Sequence, residues 1–139
     1  MTQQTLPEGS EDRKGVPLAE GCLDYFPAAL AEVARVSKFG NDKHNPGEPM
    51  HHARGKSMDH ANCIARHLVD RGLRDPDTGM LHTAELAWRA LALLQEELEA
   101  AGAPLARGAK LPPETDYNRI IGERIERDQA ECIGDNLGP

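Results

Sequence analysis

Two stretches between Lys56 and Gln95 combine residue types that do chemistry with the spacing of a helix face. In the second, His82, Glu85, Arg89 and Glu96 fall on one narrow stripe. Leu86, Ala87, Ala90, Leu91, Leu93, Leu94 and Leu98 flank that stripe on one side, and Leu81, Trp88 and Ala92 lie on another. In the first, His60 and His67 stand nearly above one another at the edge of an apolar arc of Ala61, Ile64, Ala65 and Leu68, beside Asp59, Cys63 and Asp70. A helix that is apolar on both sides of a charged stripe is expected at the centre of its fold, and a charge taken there needs a partner or a ligand. The pattern therefore describes a polar pocket between packed helices.

The segment GNDKHNPGEPMHHARGK adds the donors an anion would need: Lys43, His44, Asn45, His51, His52, Arg54 and Lys56. It shows no usable periodicity, and loops of that length in a compact domain are usually functional or disordered. The chain carries a formal net charge of -7, which argues against a binder of nucleic acid polymers, because neutralising phosphates takes an excess of Lys and Arg. A small anion is compatible, since between Arg35 and Arg71 basic residues outnumber acidic ones and the acidic excess sits mainly towards both ends.

These residues have to be positioned by helices. The chain has 139 residues with aromatics at 4%, so Ala and Leu must fill the core of one domain, which favours close helix packing over a β-sandwich. Residues 1–21 read as a flexible polar tail and 22–102 as the helical domain that carries the candidate pocket. Residues 103–139 read as a Pro/Gly linker and an amphipathic helix carrying Tyr117, Ile120, Ile121 and Ile125. Asp24 can cap a first core helix with Pro27 in its first turn and Gly40 as its stop, Ser57 a second ending at Gly72, and DPDTG leads into a third ending near Gly102. The last helix would dock on its own domain or on a partner subunit. Cys22, Cys63 and Cys132 show neither CxxC spacing nor a disulfide framework, which predicts a reducing cytoplasm. The N-terminus lacks an apolar signal region and no stretch approaches the ~20 apolar residues of a membrane span. No GxGxxG, Walker A loop, HExxH, GxSxG or EF-hand loop is present, and the order Asp59-His60 reverses the doublet of an HD phosphohydrolase.

The blocks DYFPAALAEVARVSKFGNDKHNP, RHLVDRG, a short Asp-containing turn ending at Gly79, and HTAELAWRALALL occur in that order over roughly residues 22–98. Together they resemble the N-terminal domain of phage dATP/dGTP diphosphohydrolases of the MazZ type, relatives of the all-α MazG nucleotide pyrophosphohydrolases. The resemblance implies an all-α bundle of three core helices plus a C-terminal helix, a homo-oligomer, with a divalent metal that serves to split a deoxynucleoside triphosphate into monophosphate and pyrophosphate.

Such a cleavage needs a metal to screen phosphate charge, an activated water and cations for the leaving pyrophosphate. Glu32, Asp70 and Glu85 suit the catalytic carboxylates. Glu32, His67, Asp70, His82 and Glu85 suit the metal ligands, with Asp75 and Asp77 in the turn as further ones. Lys43, Asn45, Arg54, Lys56, Arg66 and Arg89 suit nucleotide and phosphate contacts, although Arg89 would equally serve as a buried structural partner of Glu85 or Glu32. MazG enzymes carry an ExxE and an ExxD pair, each clamping Mg²⁺ from one helix face. Here Glu32 is followed by Arg35, Asp59 by Asn62, His67 by Asp70 and His82 by Glu85, and the literal ExxE of Glu96 and Glu99 is expected at an exposed helix end. Histidine in place of carboxylate points from Mg²⁺ towards Mn²⁺ or another transition metal, or to no catalytic metal and a non-catalytic protein that sequesters a nucleotide signal.

Overall fold

The computed structural model describes residues 4–112, 123 and 125–127. Three helices carry the fold: α2 (Pro27–His44), α3 (His60–Val69) and α4 (His82–Ala100), preceded by the short α1 (Ser10–Lys14) and one π-helical turn (Ala19–Leu23). α4 packs against both α3 and α2, the central place that its divided apolar surface predicts. The all-α bundle of three core helices holds. The C-terminal helix around Ile120 and Ile121 falls outside the described residues; 123 and 125–127 are helical.

α2 begins with Pro27, whose missing N–H is no loss in a first turn. It does not stop at Gly40 but runs one more turn to His44. A mid-helix glycine costs only about 1 kcal/mol, and two sets of contacts span it. Lys38 Nζ donates to Asp42 one turn on, at 2.6 and 2.7 Å. Buried Asn41 accepts from the backbone N–H of His51 at 3.2 Å and donates to the Glu48 carbonyl at 3.1 Å, so the loop is tied to the helix that it leaves.

That loop also contains β1 (His52–Ala53), which pairs in parallel with β2 (Ala109–Lys110) beyond α4. Strands of two residues leave no alternation to read, and this pairing was not anticipated. α3 starts at His60, and its end is followed by Gly72 at φ 87°. Between α3 and α4 the chain doubles back: His82 N donates to Leu73 O at 3.0 Å, Asp75 N to Met80 O at 2.8 Å and Gly79 N to Asp75 O at 2.7 Å. Gly79 sits at φ 74°, a conformation that residues with a Cβ rarely adopt. The turn brings the last turn of α3 against the first turn of α4.

Burial is inverted relative to an ordinary domain of this size. Among the described residues the buried hydrophobic side chains are Ala84 and Ala92, while Asn41, Arg54, His60, Glu85, Glu96 and Glu99 are all buried. Leu91, Leu94 and Leu98, on the side of α4 turned away from its polar stripe, are about half exposed at 48%, 51% and 48%. No described helix is long and apolar enough to cross a membrane.

Candidate functional site

The polar stripe of α4 divides into two clusters with Arg89 between them. The first sits where α3 and α4 meet at the turn. His67, in the last turn of α3, and His82, the first residue of α4, direct Nδ1 at one another across 2.9 Å. Glu85 Oε2 lies 3.3 Å from His67 Nδ1 and 4.0 Å from His82 Nδ1. Its other oxygen accepts a 2.7 Å hydrogen bond from Thr78 Oγ1, which fixes the carboxylate, whereas Oε2 is buried and has no hydrogen-bond partner. Asp75, held in the turn by an acceptor bond from Asp77 N at 2.8 Å, comes within hydrogen-bonding reach of Glu85.

Electrostatics follow from that crowding. Burial, then the carboxylate of Asp75, push Glu85 above the usual carboxylate range against the opposing pull of Thr78. Asp75 is held below that range, chiefly by the Asp77 backbone N–H. Burial, followed by the nearby His82, lowers His67 and favours its neutral, lone-pair-bearing ring. Two imidazoles and a carboxylate oxygen converging within 4.8 Å make the group His67, His82 and Glu85 a set that could hold a metal ion.

The second cluster lies further along α4. Arg54, beside β1, makes a two-pronged ion pair with Glu99 at 3.0 and 2.9 Å, both side chains 3% exposed. Glu99 also accepts from Gln95 Nε2 and from the Ala106 N–H. Burial would raise its carboxyl, but these donors outweigh burial and hold it below its ordinary range. The remaining Arg54 nitrogen meets His52 Nδ1, and His52, covered by the edge of Trp88, is lowered to about 4, chiefly by burial and then by the Arg54 charge. His60 and Glu96, each 1% exposed, meet at 2.7 Å. An arginine can only donate, so His60 Nδ1 accepts from Arg89 at 3.3 Å, while His60 Nε2 lies against the Glu96 carboxylate without making a hydrogen bond among the described residues. Arg89 also donates to Ser57 Oγ at 2.7 Å.

Of the residues singled out from sequence, the fold brings His67, His82 and Glu85 together and sets Arg89 one turn beyond. Glu32 faces Arg35 on a more exposed part of α2. Asp70 ends α3 exposed, and Asp77 lies exposed in the turn. Lys43 and Lys56 are exposed, Asn45 donates to Asn41 at 3.3 Å, and Arg66 pairs with Asp59 at 3.1 Å. Arg54 has all its nitrogens directed into the fold. Two expectations are corrected. Arg89 meets Ser57 and His60 rather than Glu85 or Glu32, because Ser57 lies ahead of α3 across from it instead of capping that helix. Glu96 and Glu99 are not at an exposed helix end but are buried against His60 and Arg54. Thr78 is absent from the sequence reading, since a lone hydroxyl in a turn gives no periodic signal, and Ser57 is read there as a helix cap where it instead accepts from Arg89.

The model of the dATP/dGTP diphosphohydrolase N-terminal family matches residues 8–103. The chain belongs to this family. The matched region takes in both clusters, α2 and the turn between α3 and α4, so the family's segment and the polar stripe coincide. Neither a curated protein nor a solved structure matches the chain.

Proposed function

We propose that the chain hydrolyses a purine deoxynucleoside triphosphate, dGTP or dATP, to the monophosphate and pyrophosphate with a divalent metal, Mg²⁺ or Mn²⁺ or another transition ion. The observation that carries this reading is the convergence of His67, His82 and Glu85 inside the segment that defines the family. Those residues fit a metal, because three electron-pair donors face a common point and Glu85 Oε2 has no hydrogen-bond donor there. An ion held there would neutralise phosphate charge and polarise the scissile phosphorus.

The chain's own groups supply the rest. Arg89, fixed by Ser57 and by the His60–Glu96 pair, presents a guanidinium one turn from Glu85, suited to a phosphate oxygen. Lys43, Lys56 and Arg66 are exposed cations that reverse the local field of an acidic protein and draw a polyanion in. Asp75 and Glu85, unequal in proton affinity and within hydrogen-bond reach, can take up the proton that an attacking water gives up. Glu32 and Asp70 stand as further catalytic carboxylates or ligands. Arg54, committed to Glu99, supports the fold in this reading. The half-exposed row of Leu91, Leu94 and Leu98 supports the homo-oligomer, with a second copy covering it.

One observation favours a second reading, a nucleotide binder without turnover. The literal ExxE pair is consumed by His60 and Arg54, so the carboxylate clamp of MazG enzymes has no free counterpart in it. Incubating the protein with each deoxynucleoside triphosphate and Mg²⁺, Mn²⁺ or Co²⁺, then separating the products, decides between them. Pyrophosphate with monophosphate supports the hydrolase. Intact nucleotide that co-elutes with the protein supports the binder and ends the hydrolase reading.

A further inference from the structure

We propose that His67 Nδ1, His82 Nδ1 and Glu85 Oε2, with Asp75 alongside, form a built site for one transition-metal ion of the Mn²⁺, Co²⁺ or Zn²⁺ kind that discriminates against Mg²⁺. The inference builds on the hydrolase reading, whose metal this would be, but binding is measurable without turnover.

The argument starts from counting protons. Two imidazole nitrogens face each other at 2.9 Å, and a single proton on one satisfies that contact. Glu85 Oε2 then remains a buried acceptor with no donor on it, in a side chain only 11% exposed, an arrangement that costs roughly 1–3 kcal/mol when nothing fills it. The other group that meets Glu85 besides the histidines and Thr78 is a carboxylate, Asp75, which accepts rather than donates when ionised. A cation satisfies all of these lone pairs at once.

Geometry agrees with one ion. Tetrahedral coordination at metal–nitrogen distances of ~2.0–2.1 Å separates neighbouring ligand atoms by about 3.3 Å. The three separations here, 2.9, 3.3 and 4.0 Å, bracket that value. Each donor is also held from outside: Glu85 by Thr78, Asp75 by the Asp77 N–H, and the two histidines by the ends of α3 and α4 that the turn clasps together. The histidines are 21% and 13% exposed, so an ion could enter from solvent.

Ligand type sets the selectivity. Mg²⁺ demands oxygen ligands and sheds water reluctantly, whereas imidazole suits transition ions. The site offers two nitrogens to at most two carboxylates.

The test is titration of the intact chain with Co²⁺ in a large excess of Mg²⁺, read by visible absorption and by metal analysis after dialysis. One Co²⁺ per chain with ligand-field bands is expected, and His67→Asn and Glu85→Gln should each weaken binding by more than about 10-fold, since even outer-shell changes cost that much. Circular dichroism confirms that the variants fold. A readout on the unaltered protein is paramagnetic shifting of the ring protons of His67 and His82 but not of His44. Absence of Co²⁺ binding, equal competition by Mg²⁺, or variants that bind like wild type would overturn the site. Bound Co²⁺ with intact dGTP supports the site and sinks the hydrolase reading alone; pyrophosphate release in Mg²⁺ with no Co²⁺ bound does the reverse.

Discussion

At the C-terminal end of α4, Glu99 is gripped by Arg54, Gln95 and a backbone N–H, and Glu96 meets His60. At the N-terminal end of the same helix, Glu85 faces two imidazole nitrogens and a second carboxylate. Both ends bury charge at a desolvation cost; the first returns it through a guanidinium and further donors, the second, among the described residues, through the Thr78 hydroxyl. A closed set of pairs holds helices together, while an open set is waiting for something from outside. The distinction lies in who supplies the positive charge, and composition alone does not report it.

The closed end should break hardest. Arg54→Ala leaves Glu99 buried without its cation, and a loss of roughly 3–5 kcal/mol is expected in urea denaturation; an unchanged midpoint would erase the comparison. Arg89→Ala is next. It frees Ser57 and one face of His60, costing about 1–3 kcal/mol, and should also weaken binding of a non-hydrolysable dGTP analogue. Lys43→Ala should weaken only that binding and leave stability within about 0.5 kcal/mol, as for an exposed side chain.

Acid sharpens the contrast further. His52 has its folded pKa lowered to about 4 from 6.5, so the unfolded chain takes up a proton first as pH falls. The stability that comes from keeping this ring neutral is complete above pH 6.5 and is lost as pH descends towards about 4. Glu99, also lowered from 4.5, keeps its full contribution above that value and loses it as pH falls further. Denaturation series at pH 7 and pH 5 should differ for the wild type and converge for His52→Gln, on the order of 1 kcal/mol after allowing for its partial exposure.

Glu85→Gln should have the smallest effect on stability. Glutamine keeps the oxygen that accepts from Thr78 and removes a charge with no donor on its far side, so the melting temperature should hold steady or rise, while turnover and metal affinity fall. A destabilisation as large as that of Arg54→Ala would mean that Glu85 belongs with the closed pairs.

The site was legible where helical periodicity carries it. His82, Glu85 and Arg89 interrupt an apolar surface at helical spacing, and His67 rides the rim of the preceding helix, so their shared face follows from 100° per residue. The central position of α4 follows from the same pattern. What escaped was either long-range or hydroxyl-borne. Arg54 finds Glu99 across 45 positions, and nothing near Arg54 separates a phosphate-binding arginine from one that stays home. Glu96 and Glu99 read as exposed because they lie near a helix end, and they are buried because the β1 and β2 segments fold over that end. Gly40 looked like a stop, yet Asn41 and the Lys38–Asp42 pair carry α2 past it.

Those two short strands have one more consequence, for the order in which the molecule assembles. α3, the turn and α4 are contiguous, so the two histidines and Glu85 can meet through local contacts. The clasp of His52 N on Gly108 O and Arg54 N on Lys110 O must instead close a loop that runs around all of them. Closing such a loop costs entropy, which two ladder bonds, the Arg54–Glu99 pair and the Ala106 N–H on Glu99 help to repay. It should therefore form late and open first, with the amides of His52 and Arg54 exchanging hydrogen well ahead of those in the middle of α4. Each opening would let water reach Glu99 while leaving the His67 end assembled, so the chain can loosen at one end of α4 without dismantling the other.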